Sequence, residues 1–336
     1  MAVGDMAEST TVSPQTSSPH TGGSLWQTGE RLLDSSFRRA CLAVAVVVIL
    51  LGGLIILQIA YRAAPAAQEH GIGFLTSSQW DPSGQHYGVL PEIWGTLYSS
   101  ILALFMAGLL GISIAVWLTQ DFLHARVEWF LKTVVDLLAA IPSVVYGLWG
   151  IYYVIPFLRP IADWLHTNFS WCPLFSTPLT GPGILPASLV LGIMILPTVA
   201  SISRESLSAV PSKLKEAAMG LGATRWEVIG RVVLPTASRG IGAALVLGFG
   251  RAIGETMALA MLAGNSSRLT VSLLSPSNTL AARLANQFPE AGPSETSALM
   301  LAALVLLVLS LSANIFGVLM NMRGRIRLSR SGGTAR

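Results

Sequence analysis

Residues 248–265 read Gly248-Phe249-Gly250-Arg251-Ala252-Ile253-Gly254-Glu255-Thr256-Met257-Ala258-Leu259-Ala260-Met261-Leu262-Ala263-Gly264-Asn265, inside an apolar run from about Gly240 to Ala263. An apolar run of this length reads as a membrane-spanning helix. Yet it carries Arg251 and Glu255. A charge at the centre of a membrane helix costs roughly 2.5–3.5 kcal/mol on insertion scales. At 1.5 Å rise per residue Arg251 lies about 16 Å from Gly240, close to mid-bilayer. A spacing of four puts Arg251 and Glu255 on one face, a turn apart. Gly250 and Gly254 form a Gly-x-x-x-Gly pair beside that face, where a second helix can approach closely. A buried charge pair beside a close-packing seam reads as a lined passage.

Composition agrees with a membrane setting. Of 336 residues 52% are hydrophobic and only 11% charged, against about 25% charged in a soluble domain. The chain is therefore expected to be an all-α polytopic membrane protein. Cys41 falls near the start of the first apolar run and Cys172 in a later loop, on opposite faces in the topology below, so they are not expected to bridge. No Cys/His metal spacing occurs and the five histidines are scattered singly. No nucleophile–base pair sits at a consistent depth, and no nucleotide-binding glycine loop is present. Covalent chemistry, a bound cofactor and a nucleic-acid partner are accordingly not expected on this chain.

Residues 1–29 are rich in Ser, Thr, Pro and Gly and short of aliphatics, so they read as a disordered tail. Six apolar segments follow, each near the ~20 residues needed to span. They run over 40–60, 94–118, 133–155 (with Pro142 inside), 183–202 (with Pro186 and Pro197), 240–263 and 298–320. The domains follow: a first helix with its external loop over 30–92, a core over 93–320 with a loop at 204–239, and a basic tail over 321–336.

Orientation follows from Lys and Arg. Arg31, Arg38 and Arg39 precede the first segment, whereas the next loop holds Arg62 alone. Arg126 and Lys132 lie between the second and third, and only Arg159 between the third and fourth. Arg204, Lys213, Lys215, Arg225, Arg231 and Arg239 crowd the loop between the fourth and fifth. Arg268 and Arg283 follow the fifth, and Arg323, Arg325, Arg327, Arg330 and Arg336 follow the sixth. The alternation places both termini in the cytoplasm.

The loop over 204–239 is patterned rather than disordered. Ser212 is placed to N-cap a helix after Pro211, and Gly222 suits the left-handed residue that ends it. Thr224-Arg225-Trp226-Glu227 reads as a capping box for a second short helix that Pro235 should stop. Trp226, Val228, Ile229, Val232 and Val233 are too apolar for a freely solvated loop, so they are expected to be covered by the chain's own spans or by a partner.

This loop resembles the docking motif of ATP-binding-cassette importer permeases: Glu-Ala-Ala, three residues, Gly, nine residues, an aliphatic, one residue, Leu-Pro. Here it reads Glu216-Ala217-Ala218, Gly222, Val232 and Leu234-Pro235, with Val232 in place of the commoner Ile. A narrower resemblance covers nearly the whole membrane region. The stretches 137–150, from Leu137 to Gly150, and 250–258, from Gly250 to Ala258, are similar to the phosphate-specific permeases of the PstC type. So are Gln79-Trp80-Asp81-Pro82, Tyr87-Gly88-Val89-Leu90-Pro91 and Gly95-Thr96-Leu97. The resemblance implies a type I importer permease fold in the bacterial inner (plasma) membrane. It implies pairing with a second permease of the PstA type, two ATPases of the PstB type carrying ATP and Mg, and an external phosphate-binding protein of the PstS type. The lipid bilayer is the remaining partner.

Within that frame Arg251 reads either as an anion contact or as a structural bridge to Glu255. A guanidinium presents a planar fork of donors that matches phosphate oxygens. Glu255, which would repel phosphate, is better suited to restraining the arginine. Ser143 and Tyr146, beside Pro142, can offer hydroxyls to a pathway or merely pack. Asp136 reads either as a cavity-facing carboxylate or, preferably, as a boundary partner of Arg126 or Lys132. Sulfate, molybdate or another oxyanion is the rival cargo. A stand-alone channel or secondary transporter is the rival class.

Overall fold

The computed structural model describes residues 23–120 and 122–331, with side chains from Phe37 to Leu319. The chain divides into two units, α1 as far as Leu57 and everything from Gln58 onward. In the first, α1 (Gly23–His70) starts inside the tail expected over 1–29. Leu25, Trp26, Leu32 and Leu33 recur at helical spacing there and extend the helix that the apolar run begins. Its aliphatic side chains, Leu42, Val48, Ile49 and Leu50 among them, are exposed, as suits a lipid-facing helix. Residues 1–22 lie outside the described residues.

In the second unit α2 (Gly73–Thr76) and the short strands β1 (Trp80–Asp81) and β2 (His86–Tyr87) lead into α3 (Leu90–Thr119). The strands pair antiparallel with Trp80 opposite Tyr87. Then come α4 (Ala125–Ala140), α5 (Ser143–Trp149) and α6 (Ile155–Phe169), the last two joined by a π-turn over Gly150–Val154. The expected third segment over 133–155 is therefore broken. Pro142 lacks an N–H and pushes Ile141 into extended backbone, so α4 ends at Ala140 and the helix restarts at Ser143. The apolar helical stretch of spanning length runs Ser143–Phe169 instead. Six helical stretches among the described residues are long and apolar enough to span, the others being Phe37–His70, Leu90–Thr119, Ile184–Ser208, Arg225–Ile253 and Pro293–Leu319.

The core forms around α7 (Ile184–Ser208), whose apolar residues Val190, Leu191, Ile195 and Val199 are almost wholly buried. Lipid is as apolar as leucine, so burial from water drives little of this; close van der Waals packing does. Small residues permit it: Ala103, Ala107 and Ala115 of α3 are buried against α7. After α8 (Ser212–Gly220) and α9 (Arg225–Val228), a π-turn over Ile229–Val233 passes directly into α10 (Leu234–Ile253). Pro235 thus stops nothing; it sits in the first turn of α10, and the wider π-turn takes up its ring and missing N–H. The expected loop over 204–239 comprises the end of α7, α8, and the start of this long helix.

The fifth segment ends earlier than expected. α10 stops at Ile253 and α11 (Met257–Leu262) restarts after Gly254, Glu255 and Thr256. Two glycines in five residues weaken the helix by about 1 kcal/mol each relative to Ala. A broken helix at membrane depth is tolerated where protein or a water-filled cavity surrounds it. The chain finishes with α12 (Leu280–Gln287) and α13 (Pro293–Ser331); residues 332–336 lie outside the description.

Candidate functional site

Arg251 lies in the last turn of α10, exposed on the flank of the bundle. α10 runs antiparallel to α7, with Gly248 facing Val199 and Gly240 facing Ser206. That pairing brings Arg251 to Thr198, and its Nη1 donates to the Thr198 hydroxyl at 3.3 Å. Thr198 is fourteen residues into α7, about 21 Å from its first residue and so near its middle.

The expected Arg251–Glu255 pair is not formed. Glu255 lies in the connector after α10, not one turn further along it, and no ion pair joins the two among the described residues. Its N–H bonds to the Ala252 carbonyl at 3.3 Å, closing the helix end. The glycine seam is half as expected. A Cβ on Gly250 would stand 2.7 Å from the Asn314 side chain of α13, so α10 and α13 do approach closely there. Gly254 instead caps α10, and a Cβ there would meet only its own turn.

Tyr146 is buried in α5, and its hydroxyl donates to the Leu138 carbonyl at 2.8 Å. That bond satisfies an acceptor that the Pro142 break leaves without a helical partner. Ser143 is half-buried at the first position of α5. Arg251 and Thr198 are thus brought together, while Glu255 lies in the connector beyond α10 and Tyr146 bonds back to α4.

The second candidate region is the turn after α8. Ser212 does not cap it; Pro211 occupies the cap position and Ser212 is the first helical residue. The far end is a Schellman motif. Gly222 has φ +90°, its N–H donates to the Met219 carbonyl (2.9 Å), and the Ala223 N–H donates to the Ala218 carbonyl (3.2 Å). The apolar contact that accompanies this motif is present, since Ala218 and Ala223 both pack on a cluster of Val116, Leu207, Val228, Ile229 and Val233. The spacing of Ala218 and Gly222 is therefore that of a helix and its terminator. Glu216 and Ala217 face outward, beside the exposed Leu214, Met219 and Leu221. The capping box is as expected, with the Glu227 N–H donating to Thr224 Oγ1 at 3.4 Å and the Thr224 N–H to Glu227 at 2.9 Å. Trp226 stays exposed but stacks on Phe122 at 5.0 Å. Leu234 is half-buried and Pro235 exposed at the start of α10.

Two features escaped the sequence reading. The loop from Asn265 to Thr279 is not free. Trp94 donates to the Thr270 carbonyl (2.9 Å), Tyr98 to the Val271 carbonyl (3.0 Å), and the Leu280 N–H to Thr96 Oγ1 (3.0 Å). A Cβ on Gly95 would collide with the Asn278 carbonyl, so only glycine lets α3 pass there. Beneath the loop Arg283 pairs with Glu92, both buried, bonds Ser267, and lies 4.7 Å over the Trp80 ring. The signal was Glu92 itself, a carboxylate opening an apolar run, which a helix N-terminus would equally explain.

The family profile described as binding-protein-dependent transport system inner membrane component matches residues 107–325. The phosphate transport system permease protein PstC of Mesorhizobium japonicum is 38% identical over 285 residues, covering 83% of this chain and 87% of that protein. The PstC of Haemophilus influenzae is 38% identical, covering 86% and 93%. The PstC 2 of Mycobacterium tuberculosis is 39% identical, covering 85% and 90%. Among solved structures, a bacterial alginate ABC transporter superposes with TM-score 0.57 at 17% identity, over 89% of this chain and 97% of that one. The MetNI methionine ABC transporter gives 0.55 at 20%, over 70% and 95%. These two establish the fold, that of an ABC importer permease. The chain belongs to the binding-protein-dependent transport system inner membrane components, as a member of their PstC permease family.

Proposed function

We propose that this chain is one of two permease subunits of an ATP-driven phosphate importer and lines half of the translocation pathway. The identity with PstC proteins over most of the chain is the observation that carries this reading. The exposed guanidinium of Arg251 supports it chemically. A fixed cation beside the middle of α7 lowers the barrier to an anion where water is scarce. Held by a neutral hydroxyl rather than a carboxylate, it keeps its full charge for the ion. The exposed flank that carries it is the face a second, PstA-type permease would cover.

The turn at Glu216–Gly222 is the docking point for a PstB-type ATPase, where ATP and Mg are held and hydrolysed. An external PstS-type protein delivers phosphate at the opposite end. Both termini then face the cytoplasm, following the Lys and Arg distribution. Sulfate and molybdate are the competing cargoes within this architecture.

The test is uptake by vesicles holding the chain with its partner permease, ATPases and loaded binding protein. ATP-dependent phosphate accumulation, not displaced by sulfate, is expected, and Arg251→Gln should abolish it with the assembly intact. Uptake without the ATPases would indicate a channel or secondary transporter. Sulfate or molybdate uptake in preference to phosphate would reassign the cargo.

A further inference from the structure

Arg251 is not the last cation that α7 meets along its length. The second half of α7 lies beside α4, and the two share a crevice lined by Lys132, Asp136, Ser201 and Arg204 among the apolar Val135 and Ala200. Thr198, which holds Arg251, is three residues from Ser201 and six from Arg204. Ser201 is therefore one turn away and Arg204 about 9 Å along the axis. The Ser201 hydroxyl donates to the Thr198 carbonyl at 3.2 Å.

α4 lines the other side of the crevice. Its Leu138 carbonyl receives the hydroxyl of Tyr146. Asp136 and Lys132 follow toward the other end of α4, four residues apart and on one face. α7 thus runs from Thr198, which holds Arg251, to the crevice it shares with α4. Neither Lys132 nor Arg204 makes an ion pair among the described residues. Two cations face one carboxylate, so the crevice carries net positive charge.

We propose that Lys132 and Arg204 form a second oxyanion station, which takes phosphate from Arg251 on its way to the α8 end of the bundle. The proposal rests on the phosphate-permease reading above. Passage requires sites weak and numerous enough that an ion admitted is also released. Arg251 alone would trap its ion; a second cation pair further along offers it somewhere to go, and Asp136 keeps that stop brief. The crevice encloses about 10 Å³ in this conformation, too little for an oxyanion. To hold one, the crevice must widen during turnover.

The rival role is topological, since cations near helix ends also set orientation. The experiment uses the assembled transporter in vesicles. Lys132→Gln and Arg204→Gln should each slow maximal phosphate uptake several-fold. The external phosphate concentration at half-saturation should not move, and Lys132→Arg and Arg204→Lys should retain most of the rate. Normal uptake by both neutral variants at matched membrane amounts overturns the proposal.

A second arm does not depend on those variants inserting correctly. A cysteine introduced by Ser201→Cys should react faster with an anionic methanethiosulfonate than with a cationic one, faster during ATP turnover, and slower with inorganic phosphate inside. Equal reaction with both reagents and no phosphate protection overturns it too. The parent reading fails separately, if the unaltered assembly takes up no phosphate. Loss in Arg251→Gln with normal rates in the Lys132 and Arg204 variants would sink the second station alone.

Discussion

Arg251 on α10 and Thr198 on α7 are fifty-three residues apart in the chain and joined by a 3.3 Å hydrogen bond from guanidinium to hydroxyl. The bond fixes the direction of the arginine without neutralising it. One donor goes to Thr198, and the remaining N–H groups of the fork stay available to an anion.

Thr198→Val removes the acceptor and keeps the shape. A hydrogen bond from a charged donor is worth about 1.5–3 kcal/mol when buried, and less at this exposed position. The expected outcome is a several-fold fall in maximal uptake with assembly unchanged, and Thr198→Ser should restore it. Equal rates for Val and Ser variants would show that the bond does not position Arg251.

The coupling turn lends itself to a backbone test. Gly222 has φ +90°, where a side chain with a Cβ costs roughly 1–2 kcal/mol. Nothing lies within 4 Å of the position a Cβ would take, so the penalty is conformational rather than steric. Gly222→Val should loosen the Schellman turn that sets the outward aim of Glu216. Reduced ATPase retention, or hydrolysis without transport, is expected by co-purification and coupled assays. Gly222→Asn, which tolerates left-handed backbone, should be milder.

What the sequence disclosed follows physical lines. Spans were readable because a lipid-embedded backbone must bond to itself, which demands long apolar helices. Gly222 and the Thr224–Glu227 box were readable because local backbone geometry limits which residues serve there. Hydropathy ran through Pro142 and through Gly254–Thr256 without marking that either breaks a helix. The first break shifted the third span, and the second removed the Arg251–Glu255 pair. Thr198 and the Glu92–Arg283 pair were invisible for another reason: their partners lie 53 and 191 residues away, where no local period connects them.

The Glu92–Arg283 pair predicts an asymmetry. Removing one member of a buried pair strands the other, typically at about 3–5 kcal/mol, while replacing both with apolar groups can be neutral. Glu92→Gln and Arg283→Met should each lower thermal stability and expose the loop from Asn265 to Thr279 to protease. Glu92→Leu with Arg283→Met should recover most of the loss. A double variant as unstable as the worse single one would refute this account.

Orientation can be read with single cysteine reporters at exposed serines. Ser277 is a poor choice because it is only 4% exposed; Ser83 and Ser176 are exposed on loops. Both should be labelled from outside in intact cells, and Ser212 only after permeabilisation. Labelling of Ser212 from outside would reverse the proposed orientation.

The charge swap Arg251→Glu with Glu255→Arg separates two accounts of the arginine. If the residues acted as a bridge, re-forming the pair in reverse would restore what each single change removes. The geometry speaks against that. Glu255 lies beyond the end of α10, in the connector before α11, and no ion pair links it to Arg251. An arginine at 255 is moved off the helix that faces Thr198, and on the proposed reading a glutamate at 251 would place a negative charge on the phosphate pathway. The double variant should therefore be as inactive as Arg251→Gln, with subunits recruited normally. Glu255→Gln alone should be far milder, because there is no bridge to lose. Arg251→Lys keeps the charge but gives up the planar fork, so partial uptake is expected. Recovery of phosphate uptake in the swapped protein, with expression and assembly matched, would mean that the pair forms during transport and that Arg251 acts as a strut rather than as the contact for the ion.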